Sequence, residues 1–311
     1  MAEKYFKNLM IEPTNICNLN CPICPTGNDY HNKNIKGSMT FQQFRNIIDI
    51  VKDFLGHINL WRFGEPFLAP DIIKMINYVG KNNILIKVHT NGNILDKKIM
   101  DQFKKNYRLN ITFSIDGIKQ KSYGYYRKDG DLKKVLDNLS YLVNLKEKYN
   151  LFNVQIIWQF LVMKTNEHEI SDVRKLAKKM KVDELRLKTI GINKKNFRYN
   201  DFVPKNKKYQ RENNKYINLK ECSYINPGMP NILWNGDILP CCMYYPDKQY
   251  IMGNALKENL LDIWNSEKYK KFREDYKNGI NDFCNNICNK KRKFAKNSIA
   301  YVKEFNFQAN K

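Results

Sequence analysis

Two rhythms of apolar residues alternate along the first two-thirds of the chain. Short runs rich in Ile, Val, Leu, Phe or Trp, bounded by Gly, Asn or Asp, predict strands at Leu9–Pro13, Ile58–Phe63, Ile84–Thr90, Asn110–Asp116, Asn153–Met163 and Glu184–Ile190. Between them a three-to-four-residue spacing predicts helices at Thr40–Leu55, Asp71–Asn82, Lys97–Lys105, Leu132–Tyr149 and Glu169–Met180. Thr40 ahead of Phe41, with Gln43 three residues on, reads as a capping box. Strands alternating with helices make βαβ units, with parallel strands and right-handed crossovers. The predicted fold class is α/β, and six strands with five intervening helices suit a curved sheet or an incomplete barrel.

Two of the strands are polar on one side. In Asn110–Asp116 every second residue is polar, so Asn110, Thr112, Ser114 and Asp116 share a face opposite Ile111, Phe113 and Ile115. Arg186 and Lys188 share a face of the last strand in the same way. With helices over the apolar face, the polar face would line a cavity. A solvent-facing edge strand gives the same pattern. Trp158, Gln159, Arg186 and Lys188, late in the strands, form a pool of possible substrate contacts. The periodicity stops near Lys194. Residues 194–221, heavy in Lys, Asn and Tyr, read as a basic connector. Beyond it, Asn235-Gly236 is a strong hairpin turn. The tail from Arg292 to Lys311 is expected to form a short helix.

Composition narrows the picture. The chain has 311 residues, 54 Lys+Arg and 31 Asp+Glu, a formal net charge of +23, with 42% hydrophobic and 13% aromatic residues. That supports a sizeable core. The basic excess suggests nucleic acid, but the basic residues are scattered, and roughly forty asparagines beside the lysines indicate a coding bias. Nucleic acid is therefore not expected as a partner. No apolar run reaches the roughly 18 to 20 residues of a membrane span, and the first residues lack a secretory apolar region. A cytoplasmic location is expected. The eight cysteines, Cys17, Cys21, Cys24, Cys222, Cys241, Cys242, Cys284 and Cys288, fall in two groups. Clustered cysteines in a cytosolic protein point to metal rather than disulfides.

The first group, Cys17-Asn18-Leu19-Asn20-Cys21-Pro22-Ile23-Cys24-Pro25, follows the first strand. The carboxyl ends of strands are where α/β folds build their sites. Three thiolates at this spacing can hold three irons of a 4Fe–4S cluster and leave the fourth open. Structural zinc, the alternative, needs four ligands. The histidines, His31, His57, His89 and His168, show no ligand spacing to one another. His89, at a strand end, is the one most worth locating.

This CxxxCxxC loop resembles that of the radical S-adenosylmethionine (radical SAM) enzymes, and further motifs follow in the family's order. Gly64-Glu65-Pro66 resembles the GGEP motif, with Phe63 in place of the first glycine; Thr90-Asn91-Gly92 resembles the TNG element; Phe113-Ser114-Ile115-Asp116-Gly117 resembles the S-x-D-G strand end; Arg127 stands where relatives place an arginine. The resemblance covers essentially the whole chain and implies a (β/α)6 partial TIM barrel over residues 1–193. It also implies a 4Fe–4S cluster on Cys17, Cys21 and Cys24. S-adenosyl-L-methionine would be bound by Gly64, Glu65, Pro66, Thr90, Asn91, Ser114, Asp116 and Arg127. Residues 222–290 resemble the SPASM domain in its shorter twitch form, which implies an auxiliary 4Fe–4S cluster on Cys222, Cys241, Cys284 and Cys288. Cys242 would be spare or exchange roles with Cys241, and zinc remains the alternative there. Residues 291–311 are left as a tail.

The function implied is reductive cleavage of S-adenosylmethionine to a 5′-deoxyadenosyl radical that abstracts hydrogen from a small sugar, aminocyclitol or nucleoside-like molecule, an oxidoreductase with the auxiliary cluster as electron acceptor. Maturation of a ribosomally made peptide is the alternative; an RNA-directed or non-enzymatic cluster protein is the third class. Cys17 falls early in the chain, which leaves little room for the leader-binding domain of many peptide maturases. A flavodoxin or ferredoxin is expected as reductant.

Overall fold

Thr40 caps helix α1 (Phe41–Val51) as its sequence predicts: its hydroxyl accepts from the Gln43 amide, and the Gln43 side chain accepts from the Thr40 amide. The computed structural model describes residues 5–27, 35–103, 107–191, 198–210, 222, 225, 228–241, 248–282, 284 and 301–306. Strands β1 (Asn8–Ile11), β2 (His57–Leu60), β3 (Leu85–Thr90), β4 (Leu109–Ser114), β5 (Val154–Val162) and β6 (Glu184–Thr189) match the six apolar runs in order. Helices α1, α2 (Ile72–Lys81), α3 (Lys97–Met100), α5 (Leu132–Lys148) and α6 (Ile170–Lys179) alternate with them, and α4 (Gln120–Tyr126) is an unforeseen addition. Among the described residues no helix is long and apolar enough to cross a membrane.

The chain divides into two compact units. The first comprises Met1–Ile16, Lys36–Ile86 and Lys215–Ser298. In it β1 pairs in parallel with β2 on one side and with β7 (Asn231–Ile232) on the other. Strand β7 turns back through Gly236, at φ +88°, into antiparallel β8 (Ile238–Leu239), the hairpin expected at Asn235-Gly236. Helices α8 (Leu260–Asn265) and α9 (Glu267–Lys277) complete it, and Phe6 meets Trp264 edge-on at 5.2 Å.

The second unit comprises Cys17–Ile35, Lys87–Asn214 and Ile299–Lys311. Its strands β4, β5 and β6 run parallel, with Ser114 beside Gln159 and Gln159 beside Arg186. Ile111, Phe113, Ile156, Trp158, Phe160, Leu185 and Leu187 are buried on one face. The alternate face carries the polar residues expected from the sequence, Asn110, Thr112, Ser114, Gln155, Gln159, Arg186 and Lys188, together with Ile157 and Leu161. Trp158 lies on the apolar face, its indole N–H donating to the Ile115 carbonyl at 2.9 Å, so it leaves the substrate pool. The tail departs from expectation too. Residues Tyr301–Asn306 form strand β9, antiparallel to β6, instead of a helix. A six-residue segment beside an open strand edge gains a ladder of backbone bonds, here with a register shift between Lys303 and Phe305, that an isolated short helix lacks. α7 (Tyr199–Phe202), a short helix, lies just past the start of the connector.

Candidate functional site

The cysteine loop is wound by its own backbone. The Cys24 amide donates to the Cys21 carbonyl at 3.0 Å, and the Gly27 amide to the Cys24 carbonyl at 3.1 Å. A Cβ at Gly27 would sit 2.4 Å from the Cys21 nitrogen, so only glycine fits there. Leu19, Cys21, Tyr126, Met163, Ile190 and Phe202 form a buried cluster, with Cys17, Ile23 and Cys24 packed against it. Apolar packing thus fixes the loop while Cys17 and Cys24 stay half-buried. No described cysteine is in a disulfide.

Two polar side chains hold the loop, Asn91 just past the end of β3 and Arg127 just past α4. The Asn91 amide donates to Asn18 Oδ1 at 2.9 Å and reaches Cys17 Sγ at 3.9 Å. Asn91 Oδ1 accepts from the Asn93 amide, and Gly92 sits at φ +76°. Arg127 Nε donates to Asp116 Oδ2 at 2.6 Å, and its Nη1 lies 3.9 Å from Cys21 Sγ. Asp116 is fully buried, accepts from the Leu161 amide at 2.6 Å with its other oxygen, and holds Asn166 through its carbonyl. Asp116 and Arg127, which sequence places near the cofactor separately, meet each other. Burial pushes the Cys21 thiol up to about 12, opposed by the Arg127 guanidinium. A thiolate there needs further positive charge, which iron supplies on binding.

Gly64, Glu65 and Pro66 lie in the first unit, against the segment that leads into the cysteine loop. The Glu65 amide donates to the Ile16 carbonyl at 2.8 Å, and a Cβ on Gly64 would come within 2.1 Å of the Thr14 carbonyl. Glu65 is buried and caps the short 3-10 turn Pro66–Leu68 through the Phe67 amide. The Phe63 amide, at the position of the missing glycine, donates to Glu12. Burial raises Glu12 to about 7, against the Arg62 charge and the Phe63 and Trp234 amides. Sequence reasoning missed Glu12; an acidic residue closing an apolar run was its signal.

The second cysteine group also lies in the first unit. Cys241 and Cys284 are buried and Cys222 is half-buried; Cys242, Cys288 and His31 lie outside the described residues. α9 holds two of them. The Cys222 amide donates to Tyr276 Oη at 3.0 Å; the Cys284 amide donates to Asn281 Oδ1, whose amide bonds the Phe272 carbonyl. Among the described residues no three His, Cys, Asp or Glu side chains converge as around a single ion. In a cubane, by contrast, each thiolate meets a different iron. Arg273 stacks on Trp264 at 4.1 Å and on Tyr269 at 4.9 Å. Its Nη1 and the Tyr269 hydroxyl are buried with no hydrogen-bond partner among the described residues. The Cys241 charge is close enough to raise the Tyr269 hydroxyl, after burial itself. A buried hydroxyl with no partner among the described residues, near Cys241 and under a stacked guanidinium, fits an anionic thiolate-ligated cluster.

Of the histidines, His57 lies in β2, His168 is exposed, and His89 is half-buried on β3.

Comparison with known proteins agrees with this layout. The profile of the radical SAM superfamily matches residues 11–177, and that of SPASM, an iron–sulfur cluster-binding domain, matches residues 222–289. The tungsten-containing aldehyde ferredoxin oxidoreductase cofactor-modifying protein of Pyrococcus furiosus is 24% identical, over 89% of this chain and 86% of its own. Among solved structures, Streptococcus suis SuiB bound to S-adenosylmethionine superposes with a TM-score of 0.68 at 17% identity, covering 87% of this chain and 68% of its own. BtrN in complex with AdoMet and 2-DOIA superposes with a TM-score of 0.50 at 17% identity, covering 88% of each chain. These likenesses are of fold.

Proposed function

The chain belongs to the radical SAM superfamily and carries its SPASM iron–sulfur domain, and from this we propose that it is an oxidoreductase acting on a small sugar, aminocyclitol or nucleoside-like molecule. The observation that carries the reading is the three-cysteine loop clamped by Asn91 and Arg127. When bound, the cluster on Cys17, Cys21 and Cys24 supplies the low-potential electron that splits S-adenosylmethionine into methionine and a hydrogen-abstracting 5′-deoxyadenosyl radical, and the auxiliary cluster an acceptor for the electron a substrate gives up.

The chain's own residues divide the remaining work. Asn91 and Gly27 fix the loop that carries the three thiols. Arg127 offsets charge at Cys21 and offers its remaining N–H groups to the cofactor carboxylate, while Asp116 orients it. Glu65, with Gly64 and Pro66, receives the methionine amino group; Thr90 and Ser114 line the cofactor pocket. Cys222, Cys241, Cys284 and Cys288 hold the auxiliary cluster, and an acidic flavodoxin or ferredoxin docks on the basic surface. Apolar packing around the loop excludes water from the reacting centre. The polar face of β4 to β6 supports a small hydrophilic substrate. A ribosomally made peptide is the second reading, favoured by the likeness to SuiB, which was solved with its precursor peptide SuiA.

The test is anaerobic incubation with S-adenosylmethionine and dithionite. The wild-type protein releases 5′-deoxyadenosine, and the Cys17→Ala/Cys21→Ala/Cys24→Ala variant releases none while keeping its auxiliary iron. Release at the wild-type rate by that variant overturns the reading. Turnover of a peptide but no small metabolite selects the second reading.

A further inference from the structure

We propose that Glu12 is a positioning residue for S-adenosylmethionine. Its carboxylate, shared between the Phe63 and Trp234 amides, holds the Gly64-Glu65-Pro66 turn in shape to receive the cofactor's amino group. The proposal rests on the reading of that turn given above and adds a residue outside the motifs read from the sequence.

Glu12 follows directly on β1, and its own amide donates to the Ile232 carbonyl at 2.9 Å. Its side chain is buried and faces two backbone donors. Oε1 accepts from the Phe63 amide at 3.3 Å, and Oε2 from the Trp234 amide at 3.5 Å. Phe63 leads straight into the turn. Two residues on, the Glu65 amide donates to the Ile16 carbonyl at 2.8 Å. These two bonds bracket the Phe63–Gly64 peptide. The turn also lies hard against the segment after β1: a Cβ on Gly64 would come within 2.1 Å of the Thr14 carbonyl and 2.8 Å of the Ile16 carbonyl. The second donor is fixed as well. The Trp234 ring lies where a Cβ on Gly37 would be 2.2 Å from it, and the Gly37 carbonyl accepts from the Thr14 hydroxyl at 2.8 Å.

An ionised carboxylate answers both donors, because each of its oxygens is an acceptor. A glutamine, or a protonated Glu12, would turn a donor toward one of the two amides. Burying the charge is costly, and the hydrogen bonds offset only part of that cost. Burial raises Glu12 to about 7, opposed by the Arg62 charge and by the two amides. Arg62 is the charged side chain that acts on it; Trp61, Phe63, Leu233 and Trp234, around the two donors, carry no charge. The carboxylate is therefore ionised above neutral pH. Below it the acid is protonated, one amide bond is lost and the hold on the turn weakens.

The experiment titrates S-adenosylmethionine calorimetrically into the anaerobically reconstituted holoenzyme, without reductant. At pH 8, Glu12→Gln should bind the cofactor about tenfold more weakly than wild type, for the loss of one amide bond, with the iron content of both samples equal. In the ratio of the two dissociation constants the cofactor's own protonation cancels. That ratio should fall from about tenfold at pH 8 toward one at pH 6, where wild-type Glu12 is protonated and resembles glutamine. A role in folding alone would move stability and leave the cofactor affinity of the folded holoenzyme unchanged. Equal affinity at pH 8, a ratio that does not change with pH, or loss of first-cluster iron in the variant overturns the proposal. Should Glu12→Gln not fold, Glu12→Asp keeps the charge but is too short to span both amides, and equal cofactor binding by it overturns the proposal just as well. Glu65→Ala under the same protocol separates the two failures. If it binds cofactor like wild type, the reading of the turn fails. If it binds weakly while Glu12→Gln does not, only the role of Glu12 fails.

Discussion

Asn91 spans the TNG turn and the cysteine loop with one side chain. Asn91→Ala removes two polar contacts to the loop, each worth about 1 kcal/mol net. It should lower the iron retained by the first cluster and leave the auxiliary iron unchanged, as read by iron analysis after gel filtration. Arg273→Met keeps the stacking volume over Trp264 and Tyr269 but deletes the charge over Tyr269, whose hydroxyl lies near Cys241. The auxiliary cluster should then become harder to reduce, seen as a more negative midpoint in a potentiometric titration, with the first cluster unmoved. His89 sets a pH dependence. Its folded value, about 3, lies below the ordinary 6.5, so the unfolded chain takes up a proton that the folded chain refuses. This contribution is complete above pH 6.5 and is lost as pH falls toward 3. His89→Gln should show a shallower loss of stability across that window in urea unfolding. The cysteines, the glycine-glutamate turn and the TNG step are legible in sequence because local spacing carries them. The pairing of Asp116 with Arg127 is not, since only tertiary packing decides which acceptor that guanidinium meets.

At the scale of elements, the six strands and five helices are legible because each buries one face at its own period. α4 is not. Its segment, Gln120–Tyr126, includes Gly124 and lacks an apolar stripe; it is held by tertiary bonds, Tyr123 Oη to Asn93 and Gln120 to Gly130 and Leu132. Strand β9 is not legible, its segment reading as a tail expected to form a short helix, because its conformation is set by β6 rather than by its own sequence. Deleting residues 299–311 should uncover the β6 edge. The truncated protein should self-associate with rising concentration in sedimentation velocity while the full chain does not.

At the scale of the whole molecule, charge is the dominant quantity. The proposed docking of an acidic electron donor draws on the formal net charge of +23, which acts over distances set by ionic strength. Between 0.1 M and 1 M salt the screening length falls from about 10 Å to about 3 Å. The rate of reduction by an acidic flavodoxin should fall about tenfold or more over that range, whereas the rate with dithionite should change far less. Equal salt dependence for the two donors would remove the docking role of the basic surface.

Strand β1 carries a consequence for how the protein comes into being. Its Met10 and Glu12 amides donate to the carbonyls of Pro230 and Ile232, more than two hundred residues later. A ribosome that has made the cysteine loop has therefore made a strand whose second edge has no neighbour until residues 230–232 follow. Closing so long a chain loop is slow. Iron loading at the proposed ligands Cys17, Cys21 and Cys24 is then expected only once residues 230–232 have been made, and a stalled nascent chain ending before residue 230 should emerge with its thiols open to alkylation.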